Sequence, residues 1–83
     1  MPYYVYILQS ELDGSYYIGS TQDLGERLQR HNEGRSKYTK SKRPWRLAYS
    51  EEFETRSAST NRERNIKSWK KKEYIESLVR TSR

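Results

Sequence analysis

Two short segments rich in aromatic and β-branched residues, Tyr3–Leu8 and Tyr16–Thr21, constrain the fold of this chain more than any other feature. Asp13-Gly14 lies between them, and this dipeptide between strand-forming segments is one of the strongest short signals for a β-hairpin. We therefore predict that the chain begins with two antiparallel strands joined by a tight turn.

The register of this hairpin decides which side chains share a face of the sheet. A symmetric connection around Asp13-Gly14 places Ser10 opposite Tyr17 and Gln9 opposite Ile18. Because side chains alternate along a strand, two phenols then meet on one surface, whereas a loop of odd length would separate them. The predicted faces are Val5, Ile7 and Ile18 on one side and Tyr6, Leu8 and Tyr17 on the other.

A polar helix is predicted after the hairpin, and it ends near the only histidine of the chain. Ser20 or Thr21 can cap its start, while Asp23 and Glu26 suit the positive end of the helix dipole. The segment Asn32-Glu33-Gly34 has the composition of a C-terminal stop.

Two side chains that could take part in binding or catalysis border the apolar stripe of this helix. Arg27 and His31 lie within roughly 100° of Leu24 and Leu28 on a helical wheel, so they do not point into bulk water. Gly25 costs up to about 1 kcal/mol relative to alanine inside a helix, and we expect another backbone to approach it closely.

The segment between Gly34 and Pro44 has the composition of a basic loop. It could track a phosphate backbone while Tyr38 stacks on a base or sugar, or it could be a solvated linker, and both interpretations stay open. The candidate nucleic-acid contacts in it are Arg35, Lys37, Tyr38, Lys40, Lys42 and Arg43.

Trp45–Phe53 shows the alternation of a half-buried strand, which could join the hairpin as a third member. Glu51 and Glu52 close this segment. Because adjacent residues of a strand point to opposite faces, we do not expect these two carboxylates to share one ligand.

A second helix is predicted from the cap at Thr55 to about Trp69. Its buried sector contains Ala58, Ile66 and Trp69, and Glu63 lies about 60° beyond Ile66, at the margin of the buried face. Taken alone, Glu63 is an ordinary exposed helix former beside cationic neighbours.

A short third helix is predicted from the spacing of Tyr74, Ile75, Leu78 and Val79, with residues 81–83 frayed. Four lysines precede or begin it and could line a nucleic-acid groove, although such a charge run is more often a solvated face. These are Lys67, Lys70, Lys71 and Lys72.

The charge balance favours an anionic partner. The chain has 17 Lys and Arg against 11 Asp and Glu, for a net charge of +6. Nucleic acid is the first expectation and an anionic membrane surface the second. The absence of cysteine excludes disulfides and thiolate zinc sites. With no signal peptide and no stretch near the ~20 apolar residues of a membrane span, a cytoplasmic protein is expected.

These elements together predict an α/β (α+β) fold. We expect a small, three-stranded, mainly antiparallel sheet in β-β-α-β-α-α order, flanked by helices, with residues 1–83 forming a single domain of modest core.

The candidate functional residues closely resemble, in order and spacing, those of the GIY-YIG nuclease domain. The resemblance covers about residues 3–78 and is strongest to the small stand-alone bacterial members. The first triplet, Val5-Tyr6-Ile7, departs from the motif because no glycine precedes its tyrosine. The matching elements are YVYIL (Tyr4–Leu8), YIGST (Tyr17–Thr21), Arg27, His31, and Glu63 followed by IKSW.

The resemblance implies a one-metal endonuclease acting on nucleic acid, with DNA as the favoured substrate; the sequence does not decide between DNA and RNA. Glu63 would hold Mg²⁺ or Mn²⁺, with waters and a substrate phosphate completing the octahedron, and Arg27 would contact the same phosphate. Tyr6 is favoured as general base if positive charge lowers its pKa, with Tyr17 as its partner, although the two roles could swap. His31 would pass a proton or contact a phosphate.

Each of these residues also has a structural interpretation. The tyrosines could be strand packing, and Arg27 could pair with Glu26 or with Glu63. Gly19 most simply permits a tight exit from the strand. The alternative functions are a basic module of the same fold that binds nucleic acid without cutting it, and a protein-interaction domain; a protein partner or a homodimer is not indicated.

Overall fold

The computed structural model describes residues 1–81 and confirms the predicted mixed α/β fold and its element order. The three strands form one antiparallel sheet of order β2-β1-β3, so that β1 is central and β2 lies at an edge. The elements are β1 (Tyr3–Ser10), β2 (Tyr16–Thr21), α1 (Leu24–Asn32), β3 (Trp45–Phe53), α2 (Arg56–Lys67) and α3 (Lys72–Thr81), with a 3₁₀ turn at Lys40–Lys42 before β3.

The predicted hairpin is present, but its predicted register is wrong by two residues. Tyr17 pairs with Leu8, not with Ser10. The Gly14 N–H donates to the Ser10 carbonyl (2.9 Å) and the Ser10 N–H to the Ser15 carbonyl (2.8 Å), so the connecting loop is 11–14. Gly14 ends this loop with a φ of +78°, which favours glycine. A one-residue displacement of the turn centre moves the register by two and leaves every side chain on its predicted face.

The predicted caps of α1 need correction at its start. Asp23 is the N-cap, because its carboxylate accepts a hydrogen bond from the Glu26 N–H at 3.0 Å. Thr21, one of the two predicted caps, instead bonds the Asp23 N–H through its hydroxyl at 3.1 Å. The helix ends at Asn32 as predicted. The expected close approach at Gly25 is wrong, since a Cβ there would meet only the Asp23 carboxylate, at 3.7 Å.

Two apolar clusters lie on opposite faces of the sheet. Helices α2 and α3 cover the larger one, built from Val5, Ile7, Ile18, Ile66, Ile75 and Val79. On the other face, Tyr6, Leu8 and Trp45 are buried under Leu24 and Leu28 of α1. The chain therefore places the predicted tyrosine face against α1 and leaves α2 on the far side of the sheet.

The second and third helices follow the predictions closely. Thr55 caps α2 by accepting from the Ala58 N–H (3.1 Å), although the helix ends at Lys67 rather than near Trp69. Thr81 is the last residue of α3, and residues 82 and 83, also predicted to be frayed, lie outside the described residues. No helix in the described part of the chain is long and apolar enough to cross a membrane.

Candidate active site

A chain of three polar side chains lies between β1, α1 and the basic loop. The Tyr6 hydroxyl is 3.1 Å from His31 Nε2, and His31 Nδ1 is 2.8 Å from Thr39 Oγ1. All three residues are buried, at 2 %, 2 % and 0 % exposure respectively. Buried polar groups of this kind are costly unless each is hydrogen-bonded, and here each is.

The direction of these hydrogen bonds follows from Thr39, the last residue of the hydrogen-bonded series. The Thr39 hydroxyl donates to the Ser36 carbonyl in a long contact of 3.5 Å, which leaves its oxygen to accept from His31 Nδ1–H. In that tautomer His31 Nε2 is an acceptor, and the Tyr6 hydroxyl donates to it.

The surroundings of His31 keep its imidazole neutral near pH 7. Burial lowers its pKa below the ordinary value of about 6.5, and the positive charges of Arg27 and Arg30 lower it further. A neutral imidazole whose Nε2 accepts the Tyr6 hydrogen bond has the chemistry to take that proton.

The pKa of Tyr6 moves in the direction opposite to the one that a free tyrosinate base requires. Burial raises it to about 12, with a further contribution from Tyr17, and the Arg27 guanidinium opposes the rise through its charge and a hydrogen bond. The expectation that positive charge lowers this pKa is therefore wrong for the protein without metal, because desolvation outweighs Arg27. Tyr6 is a neutral phenol at physiological pH.

Tyr17 lies between the Tyr6–His31 pair and Tyr38 of the basic loop. Its ring centroid is 4.9 Å from that of His31 and 6.4 Å from those of both Tyr6 and Tyr38. It also meets the Trp45 ring edge-on at 6.3 Å. The two motif tyrosines share one surface, as the alternation along their strands predicts, and Tyr38 of the basic loop extends this aromatic cluster into solvent with 83 % exposure.

Gly19 lets the Tyr6 side chain pass over the edge strand. The two residues are cross-strand partners. A Cβ built on Gly19 would lie 2.5 Å from the Tyr6 hydroxyl oxygen and 2.6 Å from Cζ, closer than a side chain can approach. The predicted role of Gly19 as a strand exit misses this close approach, which brings the phenol hydroxyl toward the edge of the sheet.

Arg27 reaches the site from the middle of α1. Its side chain is 32 % exposed, and its only ion pair among the described residues is a loose one, 4.0 Å from Glu26. Its Nε is buried without a hydrogen-bond partner. The exposed part of the guanidinium makes no close ion pair among the described residues and can meet an anion beside Tyr6.

Glu63 lies at the same sheet edge, on the α2 side. The Ser20 hydroxyl donates to its Oε1 at 2.7 Å, and Lys67 Nζ donates to its Oε2 at 2.6 Å. Ser20 follows Gly19, so it points to the opposite face of β2 from the tyrosines. The negative charge of Glu63 nevertheless makes a small contribution to the raised pKa of Tyr6.

An ion pair between β3 and α2 holds Arg62, which precedes Glu63 on α2. Arg62 donates from Nε and Nη2 to the two oxygens of Glu51, at 2.8 and 2.9 Å, and Tyr49 also donates to this carboxylate. The Arg62 guanidinium lies over the Trp69 ring, 5.6 Å from its centroid. Glu52 is exposed, so the two carboxylates point apart as predicted.

The donor set fits a weakly held hard cation rather than a closed metal cage. Among the described residues no three His, Cys, Asp or Glu side chains cluster to hold a metal. Glu63 alone supplies a carboxylate at this edge, and it is 20 % exposed. A single carboxylate with waters and a substrate phosphate is a mode in which Mg²⁺ is commonly bound.

The predicted nucleic-acid contacts fall into two segments. In the loop before β3, three of the cations have partners: Arg35 pairs with Glu33, Lys42 with Asp13, and Arg43 donates to the Lys40 carbonyl. Lys37 and Lys40 are exposed and make no ion pair with other described residues. The second segment runs from Lys67, the last residue of α2, to the start of α3.

In that second segment, only Lys67 contacts a candidate catalytic residue, Glu63. Lys70 and Lys71 lie exposed between α2 and α3. Lys72 Nζ lies 5.7 Å from the Tyr16 ring centroid, near the start of β2. The described structure therefore does not bring all predicted cations onto the tyrosines, and the loop segment is the one that adjoins them.

Two residues of the site were not predicted. The sequence predicts Ser20 only as a helix cap, although its alternation with Gly19 along β2 is the signal that puts it on the α2 face, toward Glu63. Thr39 carries no local signal, because the basic loop has no periodicity from which a buried position can be read. Its carbonyl also accepts from Trp45 Nε1 at 2.9 Å, which fixes the loop against β3.

Comparison with known proteins agrees with this arrangement. Residues 2–75 match the family described as the GIY-YIG catalytic domain. A UPF0213 protein from Staphylococcus saprophyticus is 39 % identical over 74 residues, covering 88 % of this chain and 89 % of the relative. A UPF0213 protein from Bacillus pumilus is 41 % identical over 80 residues, covering 92 % of this chain and 81 % of the relative.

A solved structure has the same fold. The solution NMR structure of a UPF0213 protein from Bacillus halodurans superposes with a TM-score of 0.62 at 34 % identity, covering 98 % of this chain and 85 % of that one. The chain belongs to the GIY-YIG family, which is a family of nucleases. The resemblance drawn from its motifs is confirmed.

Proposed function

We propose that this protein is a divalent-metal-dependent endonuclease that hydrolyses phosphodiester bonds, with DNA as the favoured substrate. The single observation that carries the proposal is the hydrogen bond between the Tyr6 hydroxyl and His31 Nε2, next to the Arg27 guanidinium. A buried tyrosine hydroxyl needs a hydrogen-bond acceptor in any case. Here that acceptor is a neutral imidazole, a group that can also take the proton.

The hydrogen-bonded chain supplies a base without a free phenolate. As water attacks the phosphorus, it gives a proton to the Tyr6 oxygen while Tyr6 gives its own proton to His31 Nε2. The phosphorus–water oxygen bond forms, the bond to the leaving oxygen breaks, and solvent protonates that oxygen. The phenol is neutral before and after, so its pKa of about 12 does not prevent this transfer.

Thr39 and Arg27 support this step in different ways. Thr39 accepts from His31 Nδ1–H and so holds the tautomer whose Nε2 can receive the proton, and it stabilises the imidazolium that forms. Arg27 presents a fixed planar cation to the phosphoryl oxygens as their charge increases. Tyr17 packs on the His31 ring and keeps its orientation.

Glu63 is the residue that would hold Mg²⁺ or Mn²⁺. When bound, such an ion would supply electrostatic stabilisation of the phosphate. Ser20 orients the carboxylate by donating to Oε1, and Lys67 neutralises Oε2 in the protein without metal. The exposed Tyr38 and the cations of the loop would contact the substrate beside Tyr17.

The test is cleavage of labelled single-stranded, duplex and branched DNA, and of RNA, with Mg²⁺, with Mn²⁺ and with chelator. We expect metal-dependent cleavage by the wild type, abolished by Glu63→Gln and by Tyr6→Phe. The matched controls are Glu52→Gln and Tyr74→Phe, at exposed positions away from the site, and these should cleave like the wild type.

A different result would favour the second function. If the wild type binds these substrates with a clear salt dependence and cuts none of them under any metal condition, the protein is a basic nucleic-acid-binding module of the same fold. The net charge of +6 and the exposed Tyr38 support that alternative without requiring the hydrogen-bonded chain.

A further inference from the structure

A polar cavity of about 310 Å³ opens beside the candidate active site, at the end of β2 and between α1 and α2. Arg27 lines it and belongs to both. Its lining carries two guanidinium groups, those of Arg27 and Arg56, and no carboxylate. Ser20, Thr21 and Arg27 in its lining belong to the motif segments. The proposed chemistry gives no role to the α2 part of the lining, which is Arg56, Ser59 and Thr60.

Several donors in the cavity wall have no partner in the described chain. The side chains of Gln22, Arg56 and Thr60 make no hydrogen bond or ion pair with other described residues. The Arg56 guanidinium packs at 5.7 Å from the Tyr3 ring centroid, which orients its planar fork without using its N–H groups. Free donors around a concave space that lacks carboxylates are suited to an anion with several oxygens.

The position of the cavity beside the catalytic edge indicates that the anion is a phosphate of the substrate strand. Ser20 lines the cavity and also donates to Glu63, so the cavity adjoins the catalytic edge. At the opposite end of β2, Tyr17 meets Tyr38 of the basic loop. The four residue steps of β2 from Tyr17 to Thr21 span about 13 Å, at about 3.3 Å per residue, which exceeds the length of a single nucleotide.

We infer that this cavity is a phosphate subsite that holds the substrate strand one or more nucleotides from the cleaved bond, with Arg56 as its main contact. The inference rests on the proposed function. The strand then lies along the β2 edge, from the basic loop past Tyr6 and Arg27 to Arg56. Arg56 is a positioning residue: it fixes the strand and takes no part in the proton transfer.

The direct test is NMR titration of the ¹⁵N-labelled protein with inorganic phosphate and, separately, with a short oligonucleotide. We expect shifts of the Arg56 Nε and Thr60 amide signals with both ligands, and stronger binding of the oligonucleotide. Arg56→Gln should weaken binding of the oligonucleotide about fivefold or more and reduce the slope of log affinity against log salt by about 1. The control is Arg64→Gln, an exposed arginine of the same helix that does not line the cavity.

Cleavage kinetics then separate positioning from chemistry. Arg56→Gln should raise KM about fivefold or more and change kcat much less, and Thr60→Ala should act in the same direction more weakly. On a substrate shortened on the side that reaches the cavity, wild type and Arg56→Gln should become equal. Circular dichroism of both variants establishes that they fold.

The outcomes distinguish this inference from the proposed function. If the wild type cuts with Glu63 dependence but Arg56→Gln and Arg64→Gln have equal affinities, the subsite is overturned and the nuclease stands. If phosphate and oligonucleotide bind through Arg56 but nothing is cut, the subsite stands and the proposed function fails. Phosphate binding that the oligonucleotide does not share would also overturn the inference, because the cavity would then take only a free anion.

Discussion

The Tyr6 ring lies against the backbone of its cross-strand partner Gly19, at a distance that no side-chain Cβ could tolerate. The glycine of the second motif is therefore required by the tyrosine of the first. It does not serve as a turn residue, since Gly19 is within β2 and only Gly14 and Gly34 have positive φ among the described glycines. One residue type fixes where the phenol hydroxyl sits.

This contact predicts the effect of Gly19→Ala. The added methyl group must displace Tyr6, so we expect a loss of about 1–3 kcal/mol in the free energy of unfolding and at least about a tenfold loss of cleavage. Gly25→Ala is the matched control, because a Cβ there meets only Asp23 at 3.7 Å. That variant should be as active as the wild type and up to about 1 kcal/mol more stable in urea unfolding.

The hydrogen-bonded chain predicts an acid limb in the pH–rate profile. Neutral His31 must accept the Tyr6 proton, so single-turnover cleavage should hold down to pH 6.5 and fall only as pH drops through the lowered pKa of His31. His31→Gln should remove this limb and most of the activity. A rate that keeps rising between pH 10 and 12 would instead show that a free Tyr6 phenolate is the base.

The same group predicts how stability depends on pH. The pKa of His31 is lower in the folded protein than in the unfolded chain, so its neutral form is favoured by folding. Its contribution is complete above about pH 6.5 and is lost as pH falls through the folded value. Urea unfolding at pH 8, 6.5 and 5 should show the gap between wild type and His31→Gln narrowing toward acid. An unchanged gap would mean that His31 does not titrate differently on unfolding.

The ion pair between Lys67 and Glu63 predicts a change in metal affinity. Lys67 Nζ lies 2.6 Å from the carboxylate oxygen Oε2, and its side chain is 51 % exposed. Exposed pairs of this kind are weak, so Lys67→Met should tighten Mn²⁺ binding only about two- to threefold. Electron paramagnetic resonance titration of Mn²⁺ measures this directly, with Lys70→Met as control. Weaker Mn²⁺ binding in Lys67→Met would contradict the competition.

Much of the fold could be predicted because its signals are local. The alternation in β1 and β2 assigned the tyrosines and the aliphatic residues to the correct faces, even though the register was wrong by two. The error arose because Gly14 ends the loop, whereas the prediction places Asp13-Gly14 at its centre. A displacement of this size preserves faces, so the prediction of the site survived the error in the turn.

The features that local signals could not give depend on contacts between distant segments. The pKa of Tyr6 is set by burial under α1, and positive charge alone suggested the wrong direction. Thr39 contacts His31 from eight residues away, through a loop without periodicity. The cavity at Arg56 forms only where α1, α2 and β2 meet.

The buried Thr39 has a consequence for how this scaffold can change. The same short segment carries the exposed Tyr38 and the hydroxyl that sets the His31 tautomer. An insertion or deletion between α1 and Thr39 that alters what the loop recognises would therefore also shift the acceptor behind Tyr6. A loop transplanted from a relative would therefore have to place a threonine at the position of Thr39, where its hydroxyl can accept from His31.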